Sequence, residues 1–414
     1  MLHNYLRLAW KVLLRRKFFT FISLFGISFT LVVLMLATAI LDHVIAAYPP
    51  ETRQDRTVGI YYAALRGDRA RRNGMAGFKL LDSYARNLPN VEKLSISTFG
   101  GGAFSYLNGQ RVKSHLKRTD GAFWEILDFT FIEGHAYTES DVRNGRMVAV
   151  INESTRRRFF GASSATGRSL EVDGQRFTVV GVVPDVPVLR VVPFADIWVP
   201  YTTEKSDGFR TELVGNYIGI LLLHDPAKLA LTRDEFWSRL RTITPSDRMF
   251  KTVEATPETL FDTLGRMFVG SGSGLGTGYG AKLAAVLAIA TTVFMLLPAV
   301  NLMNLNTSRI LERASEIGVR KAFGASSRVL VGQFLVENVV LTLVGAALGF
   351  VLAAWLLRAV NASGIIQYAS LQLNYRIFAC GVGLAVAFGL LSGVYPAWRM
   401  SRLHPVEALK GASR

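Results

Sequence analysis

The feature that most constrains this chain is a set of long apolar runs almost free of charge. Phe18 to Leu41 has no ionisable side chain, Ala281 to Ser308 has none after Lys282, Val329 to Leu357 has none after Glu337, and Ile377 to Trp398 carries no charge. At 1.5 Å per residue the first run makes about 36 Å of helix, enough to cross about 30 Å of hydrocarbon. Between the second and third runs lies a short island, Arg309 to Arg328, reading RILERASEIGVRKAFGASSR. Its basic residues (Arg309, Arg313, Arg320, Lys321, Arg328) outnumber Glu312 and Glu316, which by the positive-inside rule places it in the cytoplasm. Arg7, Lys11, Arg15 and Arg16 before the first run, and Arg399, Arg402, His404, Lys410 and Arg414 after the last, agree with that face, whereas Ala359 to Tyr375 has no Lys or Arg.

These runs predict an integral membrane protein with four transmembrane α-helices, both termini cytoplasmic, and a large mixed α/β extracytoplasmic domain inserted between spans one and two. The predicted order is an amphipathic interfacial helix over 1–17, span one over 18–47, the outer domain over 48–269, a Gly-rich join over 270–280 and span two over 281–308. The island (309–328), span three (329–358), a short outer loop (359–375), span four (376–398) and a tail (399–414) follow. In the first segment Leu2, Leu6, Trp10 and Leu13 fall on one helical face, as suits a helix lying on the inner membrane surface. Ala37-Thr38-Ala39 also has the form of a signal-peptide cleavage site, although the apolar run before it exceeds the usual length of about 7–15 residues.

Within the outer domain, Arg176 to Val183 and Arg146 to Ile151 read as strands, as does Tyr217 to Leu223. Asn152 to Phe160 reads as a helix stopped by Gly161, with further helices over Leu80–Asn87, Phe123–Leu127 and Asp234–Ile243. A loop of this length translocates largely regardless of its charge and can bury its own core. Gly270 to Gly280, GSGSGLGTGYG, has glycine at every second position and reads as a flexible join. It lacks the leading strand and the Gly-Lys-Ser/Thr ending of a nucleotide loop.

Composition narrows the chemistry. The formal net charge of +16 is spread over span flanks and the large loop, with no basic helix interleaved with aromatics, so nucleic acid is not an expected partner. The single cysteine, Cys380, excludes an intramolecular disulfide and a cysteine-based metal site. The six histidines are widely separated, with no HExxH, Gly-x-Ser-x-Gly or Walker A sequence, so the chain offers no catalytic, metal-binding or cofactor-binding residues and no ATPase motif of its own. Polar residues inside the apolar runs are the candidates that remain. Pro298 would kink the second span, and Asn301 and Asn304 lie three apart on one face, where they pair with a neighbouring span or line a wet cleft. Gln333 and Glu337 stand near the cytoplasmic end of the third, where a carboxylate is costly unless paired or wetted.

The stretch PAVNLMNLNTSRILERASEIGVRKAFGAS resembles the second-span and coupling signature of the FtsX-like permeases of ABC transporters, and YPAWRMSRLHPVEALK and RLAWKVLLRRKFFTFISLFGIS resemble the closing and opening of that family. VAVINESTRRRFFGASSATGRSL followed by FTVVGVVPDVP is similar to the MacB-type periplasmic core domain. The resemblance implies a permease subunit of the bacterial inner membrane, paired with a second permease subunit. ATP and Mg²⁺ would be bound by a cytoplasmic ATPase subunit, and a periplasmic or outer-membrane partner is also implied. The docking segment maps to Glu312, Arg313, Glu316, Ile317, Gly318, Arg320, Lys321, Ala322, Gly324 and Ala325. Glu316 and Arg320 form an i,i+4 pair in the favourable order, and Gly324 suits a helix stop. The expected function is mechanotransmission: ATP turnover moves the outer domain, which exports or extracts an amphiphilic or peptide-like substrate. The alternative is a signalling scaffold that regulates a cell-wall hydrolase or senses a ligand without moving cargo. In these permeases the second span commonly continues outward as a helical stalk, and Gly270 to Gly280 is too poor a helix former to supply one.

Overall fold

A computed structural model of the protein describes residues 7, 14–15, 17–107, 109–270, 277–312, 319, 323 and 326–401. The helices are α1 (Lys17–Ile45), α2 (Phe78–Leu80, continued by a π turn over Leu81–Ala85), α3 (Ala122–Ile126), α4 (Glu139–Arg143), α5 (Glu153–Phe160), α6 (Leu229–Leu240), α7 (Leu260–Val269), α8 (Tyr279–Glu312), α9 (Ser327–Ser363) and α10 (Tyr375–Ser401). The strands are β1 (Thr57–Ile60), β2 (Tyr62–Arg66), β3 (Arg71–Ala76), β4 (Val91–Thr98), β5 (Gly101–Leu107), β6 (Gln110–Thr119), β7 (Glu133–Gly134), β8 (Val148–Asn152), β9 (Ser169–Val172), β10 (Gln175–Val183), β11 (Ile197–Pro200), β12 (Val214–Gly215), β13 (Tyr217–Leu223) and β14 (Thr252–Ala255). Most of the predicted interfacial helix, including Leu2, Leu6, Trp10 and Leu13, lies outside the described residues, as do 271–276 of the Gly-rich join and the tail from 402.

The chain forms two compact units. One is helical, built from α1, most of α8, α9 and α10; the other, Val44–Ala284 with Ile366–Ala369, is built on a sheet. In the helical unit three helical stretches among the described residues are long and apolar enough to cross a membrane: Lys17–Ile45, Tyr279–Leu297 and Val331–Ser363. In α10 a shorter apolar stretch, Tyr375–Leu391, stands where the fourth span is predicted. Close packing here depends on missing side chains. A Cβ on Gly345 would stand 2.9 Å from Ile27 Cγ2, one on Gly349 would stand 3.1 Å from the Ser28 carbonyl, and one on Gly389 would stand 2.8 Å from Thr342 Oγ1. Small residues at these positions let helix backbones approach where lipid offers no hydrophobic drive for association. Ile27, Leu31, Leu341 and Ala346 form the buried seam between α1 and α9.

The sheet unit is built on one 14-stranded sheet of mainly antiparallel pairs, with β8–β10 and β6–β11 parallel. Its strand order runs β14-β2-β3-β13-β4-β6-β11-β8-β10-β7. Alternation along the strands sends side chains into two cores. Ala149 and Ile151 of β8, and Ile197 and Val199 of β11, enter one core, while Val150 and Trp198 enter the other. In β10 the period breaks between Val179 and Gly181, where the register against β8 slips by one residue. That bulge puts both Val179 and Val182 in the same core, which strict alternation forbids. Helix α5 begins at Asn152, whose side chain accepts from Thr155 N–H, and stops at Gly161 with φ 65°. Strand β13 spans the predicted Tyr217–Leu223, whereas the helix predicted over Asp234–Ile243 starts earlier, at Leu229, directly after the turn opened by Pro226.

Candidate functional site: a clamp in the sheet unit

Of the predicted docking residues, Arg313, Glu316, Ile317, Gly318, Arg320, Lys321, Ala322, Gly324 and Ala325 lie outside the described residues, and Glu312 is the last residue of α8. Pro298 and Asn301 fall within α8, which runs through Pro298 as helix, and Asn304 is exposed. Gln333 and Glu337 are brought together one turn apart on α9: Gln333 Nε2 donates to Glu337 Oε1 at 3.1 Å, and Glu337 is buried beside Asn338.

The structure adds a constellation in the sheet unit that the sequence did not reveal. It centres on the segment Pro187–Asp196 between β10 and β11. Arg190, only 2% exposed, donates to the carbonyls of Ala46 (2.9 Å) and Tyr48 (3.0 Å), where the chain leaves α1, and pairs with Glu51 at 3.0 Å. Lys117 of β6 is fully buried and donates from Nζ to the carbonyls of Val191 (3.0 Å) and Val192 (2.7 Å), fixing the same segment from beneath. Trp198 Nε1 donates to the Pro193 carbonyl at 3.2 Å. The loop between α9 and α10 docks on the other end of the segment. Val188 N–H donates to the Gln367 carbonyl at 3.1 Å, and Tyr368 Oη donates to Asp196 Oδ1 at 2.9 Å. Asp196 also accepts from Asn152 Nδ2 at 3.1 Å and from His115 N–H at 2.8 Å, which ties the loop to β8 and β6.

Burial sets the electrostatics. It pushes the Glu51 carboxyl up to about 7, with Arg190 pulling the other way, and it lowers the Lys117 ammonium to about 7, with Glu51 opposing. Burial, and then the facing Asp196 carboxylate, raise the Tyr368 hydroxyl. The arrangement has no nucleophile placed against a base; it holds backbone.

A second anchor joins α7 to the start of α8. Thr259 caps α7 by accepting from Asp262 N–H at 3.0 Å, and Asp262 Oδ1 accepts from Gly280 N–H at 3.0 Å. A Cβ on Gly265 would stand 2.2 Å from the Tyr279 carbonyl, so α7 and the first turn of α8 are in direct backbone contact. Arg266 pairs with the buried Glu258 at 2.6 Å and lies over the Tyr62 ring at 4.4 Å, locking α7 to the sheet. The helix that leads into the Gly-rich join and the first turn of the helix that follows it are therefore held against one another.

Two family models match this chain: the MacB-like periplasmic core domain over residues 20–236, more than half of it, and the FtsX-like permease C-terminal over residues 288–405. The chain therefore belongs to the FtsX-like permeases of ABC transporters. Within them it is of the type that carries a MacB-like periplasmic core domain. Among its relatives, the pyoverdine export ATP-binding/permease protein PvdT of Pseudomonas entomophila is 26% identical over 98% of this chain and 59% of its own length. The macrolide export ATP-binding/permease protein MacB of Chromobacterium violaceum is 26% identical over 69% of this chain and 42% of its own. The uncharacterized ABC transporter permease YknZ of Bacillus subtilis is 24% identical over 72% of each. The chain spans about half the length of the first two. Among solved structures, the periplasmic region of MacB from Actinobacillus actinomycetemcomitans aligns over 53% of this chain and 94% of its own at 16% identity and TM-score 0.37. The extracellular domain of YknZ aligns over 48% of this chain and 99% of its own at 12% identity and TM-score 0.36.

The clamp was hidden because its members are far apart in sequence. A signal did exist: Glu51 directly follows the Tyr48-Pro49-Pro50 exit from the first span, and Arg190 is a lone cation in the apolar run Val186 to Ala195.

Proposed function

We propose that this chain is the mechanotransmitting permease of an inner-membrane ABC transporter. It spans the membrane four times with both termini in the cytoplasm, works in a pair with a second permease subunit, and passes ATP-driven motion to its outer domain. ATP and Mg²⁺ belong to a cytoplasmic ATPase docked on Glu312 to Ala325. The observation that carries the reading is that the segments through which the sheet unit continues toward α1, α8 and the α9–α10 loop are each hydrogen-bonded within the sheet unit. Arg190 holds the exit of α1, Asp262 holds the entry to α8, and Val188 with Asp196 holds the α9–α10 loop. Segments tied by several hydrogen bonds of ordinary length, 2.9–3.1 Å, would pass on displacement that loose linkers would absorb. The names of the relatives, which export a macrolide or pyoverdine, favour an amphiphilic substrate.

The test is co-purification with candidate ATPase subunits, wild type against Glu316→Arg. A stable complex lost in the variant is expected; equal recovery of the ATPase with both proteins would remove the docking assignment. Using the intact permease as bait for extracytoplasmic partners separates transport from signalling: an outer-membrane channel or a lipidated cargo supports transport, and a cell-wall hydrolase supports the signalling scaffold.

A further inference from the structure

The hairpin of β5 and β6 in the sheet unit presents two faces of opposite character. Inward, Ala103 and Leu116 enter the smaller core, and Ser105 and Ser114 are buried on the same side. Outward, the antiparallel register sets Tyr106 opposite Arg111 and Phe104 opposite Lys113, so these four side chains share one surface. Tyr106 is 64% and Phe104 37% exposed, and the Arg111 guanidinium lies over the Phe104 ring, 3.3 Å from its centroid.

The charge on this surface has one sign. From Phe99 to Thr119 the chain has no Asp or Glu. Arg118, farther along β6, is paired with Glu204 and Asp173, whereas among the described residues no carboxylate pairs with Arg111 or Lys113. The turn after β9 lies against β5, where Asp173 N–H donates to the Phe104 carbonyl at 2.9 Å. The outward acid of β9, Glu171, stands opposite Arg176 in the register against β10, so it already faces a cation. Exposed aromatic rings rimmed by polar groups mark places where proteins meet, and aromatic residues with Arg supply most of the binding energy there. Stacking on Phe104 fixes the Arg111 guanidinium while its N–H edges stay open, the arrangement that takes a carboxylate in two parallel hydrogen bonds. We propose that the outward face of the β5–β6 hairpin is a docking surface for an acidic segment of a partner protein. Its carboxylates meet Arg111 and Lys113, and its apolar side chains cover Tyr106 and Phe104. This surface is separate from the cytoplasmic docking segment, so its test needs no ATPase.

The experiment is site-specific photo-cross-linking of the full-length protein in the cells that make it. p-Benzoylphenylalanine replaces Tyr106, and the adducts are digested and sequenced by mass spectrometry. A protein adduct whose cross-linked segment is rich in Asp and Glu is expected. Arg111→Glu with Lys113→Glu should lower its yield about tenfold or more, because like charges then face one another. Arg72→Glu with Arg158→Glu reverses two exposed cations on β3 and α5 and should leave the yield within about twofold. Arg111→Gln with Lys113→Gln, which removes the charge without reversing it, should give a smaller loss of the same sign. Matched Tm values by tryptophan fluorescence keep a folding defect from passing for lost binding. Absence of a protein adduct, an adduct on lipid alone, a cross-linked segment without acidic residues, or equal loss in the hairpin and control variants overturns the docking surface.

Discussion

The two units of this chain differ in what their packing leans on most. The sheet unit buries long charged side chains: Lys117 is 0% exposed and Arg190 2%, each wrapped in backbone carbonyls. Among the described residues of the helical unit, neighbouring helices come close at Gly345, Gly349 and Gly389, where a Cβ would stand 2.9, 3.1 and 2.8 Å from the nearest atom of the facing helix. In water, burying apolar area contributes about 25 cal/mol per Å², enough to carry an enclosed charge if its hydrogen bonds are made. Between helices in lipid that drive is missing, and shape has to do the work. The sheet unit should therefore be broken most by removing one partner of a buried polar set, and the helical unit by adding atoms.

The largest effect is expected from Arg190→Ala. It leaves Glu51 buried without its arginine partner and takes one hydrogen bond from each of the Ala46 and Tyr48 carbonyls, which keep those from Tyr48 N–H and Glu51 N–H, a loss of about 3–5 kcal/mol. Thermal unfolding followed by tryptophan fluorescence should show it. Arg190→Met with Glu51→Gln should recover part of the loss, because the carboxylate that the single variant leaves without its guanidinium is removed as well. If the single variant unfolds like wild type, the clamp does not hold the exit of α1.

Asp120 sharpens the same contrast through pH. Its carboxylate accepts from Ile96 N–H and Ser95 Oγ, both at 2.7 Å, and from Phe123 N–H at 3.0 Å, yet burial outweighs these bonds and pushes it up to about 7 from 3.8. A folded-state value above the unfolded one means that the folded protein holds an extra proton between those limits. The contribution is then complete below about 3.8 and lost as pH rises through about 7, on the order of a few kcal/mol in all. Asp120→Asn should flatten the dependence of Tm on pH between 4 and 7; an unchanged slope would show that another group sets it.

In the helical unit the expected break runs the other way. Gly345→Leu drives new atoms into Ile27, and overpacking of this kind costs about 1–3 kcal/mol. Denaturation in detergent, read by loss of the monodisperse peak on heating, should show the drop, while Gly383→Leu, where a Cβ meets nothing within 4 Å, should not.

How much of this could be read in the sequence follows from the range of each interaction. The helices of the membrane unit were legible because absence of charge is a local property, and α5 was legible because Asn152 and Gly161 mark its two ends within one short stretch. The clamp was not, since Glu51 and Arg190 are 139 residues apart and Lys117 sits in a strand, QRVKSHLKRT, that reads as solvent-facing. Its burial comes from the place of β6 between β4 and β11, which topology alone decides. The bulge at Val180 shows the same limit: two valines on one face look like noise in a period of two until the register slip against β8 is seen. At the described end of the Gly-rich join, the bond from Gly280 N–H to Asp262 crosses 18 residues, and composition carries no sign of it.

The smallest effect is the one that most directly divides the two solvents. Phe21, Phe25 and Phe29 form a stacked row along α1, with ring centroids 6.2 and 5.7 Å apart, and Phe25 is 57% exposed. Phe123 of the sheet unit is 0% exposed and packs on Trp124. Phe123→Leu removes ring volume from a closed core and should cost about 1–3 kcal/mol. In Phe25→Leu one apolar group facing lipid replaces another, so the change should stay within about 0.5 kcal/mol. Both variants can be compared by chemical denaturation of the full-length protein in the same bilayer mimic. Equal losses would mean that the Phe25 row is covered by protein in the assembled membrane complex, and the second permease subunit would be the first candidate to cover it.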